Sequence, residues 1–125
     1  GIPQRYAAAG DPYGEQCQAT ARLVAESIAL PRERWSVAFQ SRVGRTRWLE
    51  PYTEDRLREL AAKGVRHVAV ACPGFAVDCL ETLEEIAMRA KSDFLTNGGE
   101  AFQFIPCLNA HPVWVDALKG LLERI

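Results

Sequence analysis

The chain has no C-x-x-C pair, no histidines at zinc-finger spacing and no apolar run near the roughly 18 to 20 residues that a bilayer span needs. A zinc cage, a dithiol redox motif and a membrane-spanning helix are therefore not written in it. An excess of charge of either sign is also missing. Fifteen Lys and Arg against sixteen Asp and Glu leave a formal charge of −1, so no basic field is present to gather nucleic acid or an anionic membrane. There is no G-x-G-x-x-G, P-loop, nucleophile elbow or H-E-x-x-H, which removes the usual signatures of nucleotide and protease chemistry. No methionine and no charged-apolar-small leader opens the chain, Met88 being the single methionine. Gly1 is expected to be a cut end and the protein cytoplasmic.

What is present fits one domain with an ordinary core: 125 residues, 48% of them hydrophobic. Cys17, Cys72, Cys79 and Cys107 are widely spaced and are expected as buried, reduced thiols. Cys17, Ala21, Val24, Ala25 and Ile28 recur at helical spacing and predict a helix over 15–29, ended by Pro31. Trp35 to Phe39 reads as a strand. Thr53 can cap a second helix bearing Leu57, Leu60 and Ala61, which stops at Gly64.

His67 to Cys72 is apolar nearly throughout, as in a parallel strand covered on both faces, and Pro73-Gly74 breaks it. A third helix is predicted over 78–91, a third strand over 102–105, and a closing helix from Pro112 to about Arg124. Strict alternation of helix and strand predicts an α/β fold with a small parallel sheet between helical layers. Ligands of such sheets sit beyond the carboxyl ends of the strands, here 40–52, 73–81 and 106–112.

On an α-helical wheel begun at Asp78, the side chains of Asp78, Glu81 and Glu85 share a stripe opposite Cys79, Leu83, Ile86, Ala87 and Ala90. Taken alone, this is equally a solvated face in which Asp78 and Glu81 form a capping-box variant. Its place directly after a strand end allows a metal ligand or general base at Glu81, since carboxylates suit ferrous iron and a helix start favours their charged form. Arg42, Arg45 and Arg47 with Trp48 combine carboxylate-matching forks and a flat indole, but also describe a plain basic loop. His67 reads as structural, and His111 lies in the last strand-end loop.

Three stretches, in their order and spacing, resemble the ferrochelatase family. The first is Gly1-Ile2-Pro3-Gln4-Arg5-Tyr6 with Gly10-Asp11-Pro12-Tyr13. The second is Phe39-Gln40-Ser41-Arg42-Val43-Gly44 with Trp48-Leu49 and Pro51-Tyr52-Thr53. The third and most specific is Cys72-Pro73-Gly74-Phe75 with Asp78-Cys79-Leu80-Glu81-Thr82-Leu83, and Pro106-Cys107-Leu108-Asn109 agrees as well. The resemblance covers essentially the whole chain and implies the carboxyl-terminal half of such an enzyme, which inserts ferrous iron into protoporphyrin to form haem. It implies a three-layer, Rossmann-like chelatase domain over 1–125.

The resemblance also implies roles. Glu81 takes the place of a glutamate facing the porphyrin centre, as base and metal ligand, with Asp78 and Glu85 on a path for metal or protons. Phe75 and Trp48 are expected against the macrocycle, and Gln40, Ser41 and Arg42 at a propionate. Many relatives carry histidine where this chain has Cys79, and Arg89 stands where some continue the acidic ladder. The family's catalytic histidine ends a strand just before the glycine matched by Gly1, so that strand and the amino-terminal domain are expected to be missing and the fragment alone inactive.

With that first strand absent, strands 35–40 and 68–72 are expected either to close up and pair or to have the slot between them filled by another chain, giving a possible homo-oligomer. No cofactor is expected in this segment, and iron enters as substrate. Competing readings are a chelatase for another metal or tetrapyrrole, and a noncatalytic tetrapyrrole-binding or regulatory domain.

Overall fold

The structure, a computed structural model, describes residues 1–40 and 42–125. In chain order the elements are α1 (Gln4–Ala8), α2 (Tyr13–Ser27), a 3-10 turn (Arg32–Arg34), α3 (Thr53–Ala62), β1 (His67–Ala71), α4 (Leu80–Thr82), a π-helix (Leu83–Ala90), α5 (Lys91–Thr96), β2 (Ala101–Ile105) and α6 (Pro112–Leu122). The fold is mixed α/β with a small open parallel sheet. No helix among the described residues is long and apolar enough to cross a membrane.

Local chemistry sets most boundaries. Asp11 Oδ1 accepts the Tyr13 N–H at 2.9 Å and so starts α2 two residues earlier than its periodicity suggests. Ala29, at φ 52°, ends that helix before Pro31. Gly64, at φ 83°, closes α3, where its N–H reaches Ala61 O at 3.0 Å. Thr53 is the first helical residue of α3 and not its cap, and its N–H donates to Phe39 O at 3.0 Å instead. Pro112 opens α6 as expected, with His111 as cap, its Nδ1 accepting the Val113 N–H at 3.3 Å.

β1 and β2 run parallel with Val68 opposite Phe102 and Val70 opposite Phe104. These four side chains turn toward Leu57, Ala61, Ile86, Ala90 and Phe94, which form the core between the sheet and the helices on one side. His67, Ala69, Ala71, Ala101, Gln103 and Ile105 alternate with them and stay exposed. Cover on both strand faces, expected from the apolar run, is thus not found: within the described residues only one face is packed.

The predicted strand over 35–40 does not join the sheet. Phe39 instead makes an isolated parallel bridge with Tyr52, its N–H donating to Pro51 O at 2.9 Å. Segments 35–40 and 67–71 have not closed up to pair. Their link is a side chain, because the Cys72 thiol lies 3.6 Å from Gln40 Oε1.

Residues 80–96 form one continuous helix whose middle is wound more widely than an α-helix. Bonds that reach five residues back put more than four residues in each turn. The row Thr82, Ile86, Ala90 and Phe94, spaced by four, is therefore the buried one, with Thr82 and Phe94 at 0% exposure. Leu83, placed on the buried stripe by an α-helical wheel, is 47% exposed. Asp78 precedes the helix and so leaves the stripe. The four cysteines are free but only half-buried, and of them Cys72 packs against the core.

Two glycines give opposite expectations. A Cβ at Gly99 would overlap the ring of Phe94, which has nowhere to move, so Gly99→Ala should destabilise by about 1–3 kcal/mol. Gly120 lies within α6 with nothing within 4 Å, so Gly120→Ala should stabilise by up to about 1 kcal/mol through helix propensity. Thermal melts of the two variants check both signs.

Candidate functional site

Both strands end on the same side of the sheet, so the segments after Ala71 and after Ile105 lie together, joined by 39–54 through Gln40. The Gln40 amide is the hub. Its Nε2 donates to Glu81 O at 2.7 Å and approaches Glu85 Oε2 at 3.5 Å, while its Oε1 faces the Cys72 thiol. Gln40 thereby ties the end of β1 to the first turn of the helix. Ser41 lies outside the described residues.

Cys79 caps α4. Its sulfur accepts the Thr82 N–H, while its own N–H donates to Thr82 Oγ1 at 3.0 Å, so the capping box joins Cys79 to Thr82 and not Asp78 to Glu81. Glu81 follows in the first turn. The Cys79 thiol and the Glu81 N–H hold its carboxyl below the usual carboxylate range, against a smaller effect of burial. Glu81 is thus ionised at neutral pH.

Asp78 is bonded on both oxygens. Oδ2 accepts Asn109 Nδ2 at 2.8 Å, and Oδ1 accepts Thr82 Oγ1 at 3.0 Å and the Cys107 N–H at 3.2 Å. The Asn109 bond is the chief cause that keeps its carboxyl low. Asn109 itself sits in the left-handed region at φ 50°, a conformation Asn tolerates better than most residues.

One helical step beyond Glu81, Glu85 faces Gln40 and lies 3.9 Å from Arg89 Nη2. Arg89 also reaches Glu84 Oε2 at 3.1 Å and Glu54 Oε1 at 3.8 Å. Arg42 stacks on the Tyr52 ring, 4.0 Å from its centroid, with Glu54 Oε2 3.8 Å away. Gln40, Arg42, Tyr52, Glu54, Glu85 and Arg89 line a cleft of about 200 Å³. That is smaller than the roughly 300–1,000 Å³ of pockets that enclose drug-sized ligands, so the cleft cannot enclose a tetrapyrrole.

Glu81, Phe75 and Trp48 do not line this cleft. Trp48 is half-buried with Nε1 donating to Val43 O at 3.1 Å, and the half-buried Phe75 follows the β1 end with its N–H on Cys72 O at 3.0 Å. His67 is exposed, 3.6 Å from Glu100 Oε2. Among the described residues, no group of three or more His, Cys, Asp or Glu is placed to hold a metal ion. The site therefore offers the Glu81 carboxylate in a fixed turn, not a cage. Thr82 and Asn109 were not singled out as site residues from the sequence. Their signals were the four-residue step from Asp78 to Thr82 and an asparagine three residues past a strand-ending proline.

The family model described as Ferrochelatase matches residues 1–125. The chain is 58% identical over 119 residues to the ferrochelatase of Azoarcus sp. (strain BH72), covering 95% of this chain and 33% of that protein. It is 54% identical over 123 residues to the ferrochelatase of Methylococcus capsulatus, covering 98% and 38%. With Ferrochelatase 1 of Shewanella oneidensis the identity is 52% over 124 residues, covering 99% and 37%. The chain spans about a third of the length of these curated relatives. It belongs to the ferrochelatase family.

The thiols behind the site carry a direct expectation. Burial, then the nearby Cys107, Asp78 and Cys79, pushes the Cys72 thiol up to about 11; burial and the Asp78 carboxylate do the same for Cys107. At pH 8 about one in a thousand of either is thiolate, and the thiolate is the species that reacts. Alkylation with iodoacetamide followed by peptide mapping should label Cys72 and Cys107 far more slowly than a free cysteine. Labelling at the free-thiol rate would contradict the packing described.

Proposed function

We propose, from membership of the ferrochelatase family, that the protein carrying this chain inserts ferrous iron into protoporphyrin to form haem, and that this chain is its carboxyl-terminal part. The observation that carries the reading is Glu81, an ionised carboxylate fixed in the first turn of a helix that starts beyond the carboxyl end of β1.

The reaction removes two pyrrole N–H protons while the metal exchanges waters for four nitrogens. Glu81 accepts one of those protons on a carboxylate oxygen, and its oxygens suit ferrous iron on its way to the ring. Gln40 holds the backbone of Glu81 in place, and Glu85 lies one helical step further along as the next carboxylate. Phe75 and Trp48 press on the macrocycle, and Gln40, Ser41 and Arg42 stand nearest a propionate. A cleft of about 200 Å³, too small for a tetrapyrrole, supports the view that this segment alone does not perform the reaction.

A cytoplasmic location belongs to this proposal. So does self-association of the chain, which the exposed Leu23, Val24 and Ile28 of α2 and Val113, Leu121 and Leu122 of α6 support.

Haem formation by the whole protein from ferrous iron and protoporphyrin, followed without oxygen, tests the reading. Glu81→Gln removes charge and basicity with little change of shape, and turnover should fall about 100-fold or more while porphyrin affinity changes little. Near-normal turnover would return Glu81 to a helix-starting role. Trp48→Ala should instead weaken porphyrin binding measured by fluorescence quenching, and unchanged binding would remove Trp48 from the porphyrin wall.

A further inference from the structure

Two loops leave the carboxyl end of the sheet, 72–79 after β1 and 106–111 after β2, and they are laced together directly behind Glu81. The Asn109 N–H donates to Ala76 O at 2.9 Å. Asp78 N–H donates to Asn109 Oδ1 at 2.9 Å, and Asn109 Nδ2 returns a bond to Asp78 Oδ2 at 2.8 Å. Cys107 N–H adds a bond to Asp78 Oδ1 at 3.2 Å. On the helix side, Thr82 Oγ1 donates to that same Oδ1 at 3.0 Å and accepts the Cys79 N–H, and Thr82 is wholly buried.

We propose that Asp78 and Asn109 form a clasp that positions Glu81, and that Asp78 does not itself carry metal or protons. Three of the roughly four acceptor positions of a carboxylate are filled by donors of this chain. All three donors come from residues whose placement defines the first helical turn or the loop behind it. A metal or a transferred proton at Asp78 would draw charge from the carboxylate that these donors share and loosen the turn that presents Glu81. The chemistry wanted at this position is an acceptor facing Asn109, which an uncharged amide supplies as well when its partner is changed to match. Asp78 and Asn109 are positioning residues, and Asp78 thereby leaves the metal or proton path expected from the sequence.

The inference rests on the iron-insertion reading, and exchanging the two side chains tests it. In the double variant D78N/N109D, the new amide nitrogen at position 78 donates to the new carboxylate at position 109. The amide oxygen at 78 still accepts from Cys107 and Thr82, and the carboxylate at 109 still accepts the backbone N–H of residue 78; the exchange gives up the bond from Asn109 Nδ2 to Cys107 O at 3.1 Å, and position 78 carries no charge. In the whole protein, Asn109→Asp alone sets two carboxylates face to face, and Asp78→Asn alone sets amide against amide. Each should lower kcat at least about tenfold with porphyrin KM within about threefold, measured well below the melting temperature. The exchange should restore kcat to within about threefold of the unaltered protein. An exchange variant that is folded but as slow as Asp78→Asn would show that the carboxylate at 78 is itself required. Single variants with normal kcat, or an exchange variant that fails to fold, would equally overturn the clasp. Activity of the unaltered protein is the separate control on the iron-insertion reading. Should it make no haem, melting temperatures decide the clasp: lowered in both single variants and recovered in the exchange, or not.

Discussion

The face that the helix over 80–96 turns toward the site depends on its buried row, Thr82, Ile86, Ala90 and Phe94. Successive buried side chains are four positions apart, and the row beside them holds Glu81, Glu85 and Arg89. The core against β1 and β2 accepts only the observed row, because Phe94 packs on Phe102 with ring centroids 6.2 Å apart and Ile86 is 2% exposed. Packing therefore fixes which row is buried, and with it the side of the helix that carries Glu81 and Glu85.

Burial of Thr82 links this core to the site. A hydroxyl at 0% exposure must be bonded, and its partners are Asp78 and Cys79, the two residues directly ahead of the first helical turn. The turn ahead of Glu81 is thus tied to the core from below, to Gln40 on one side and to the 106–111 loop on the other. Three separate ties hold one backbone turn. Such a surround limits how far a carboxylate can wander, which a general base needs in order to meet a proton at a fixed place.

Much of the scaffold was legible in the sequence, because helical spacing, Gly64, Pro112 and the apolar run at 67–72 are local signals. The strand expected at 35–40 was misplaced for a nonlocal reason. Its backbone bonds run to Pro51 and Thr53, and nothing in an isolated aromatic run states which partner it will meet. The π winding was missed because Cys79, Leu83 and Ala87 complete a good α-helical stripe; only the sheet decides that Thr82 goes inward. The resemblance drew attention to Glu81, but the roles of Thr82 and Asn109 are contacts between segments and could not be read along the chain.

On the proposed function, Glu81, held by these contacts, takes a pyrrole proton from the bound porphyrin. A crystal structure of the whole protein with metal-free protoporphyrin measures it most directly. The account predicts a Glu81 carboxylate oxygen within about 2.6–3.2 Å of a pyrrole nitrogen, or one water away. A porphyrin bound elsewhere, or a Glu81 carboxylate turned away from the ring with no bridging water, would contradict it.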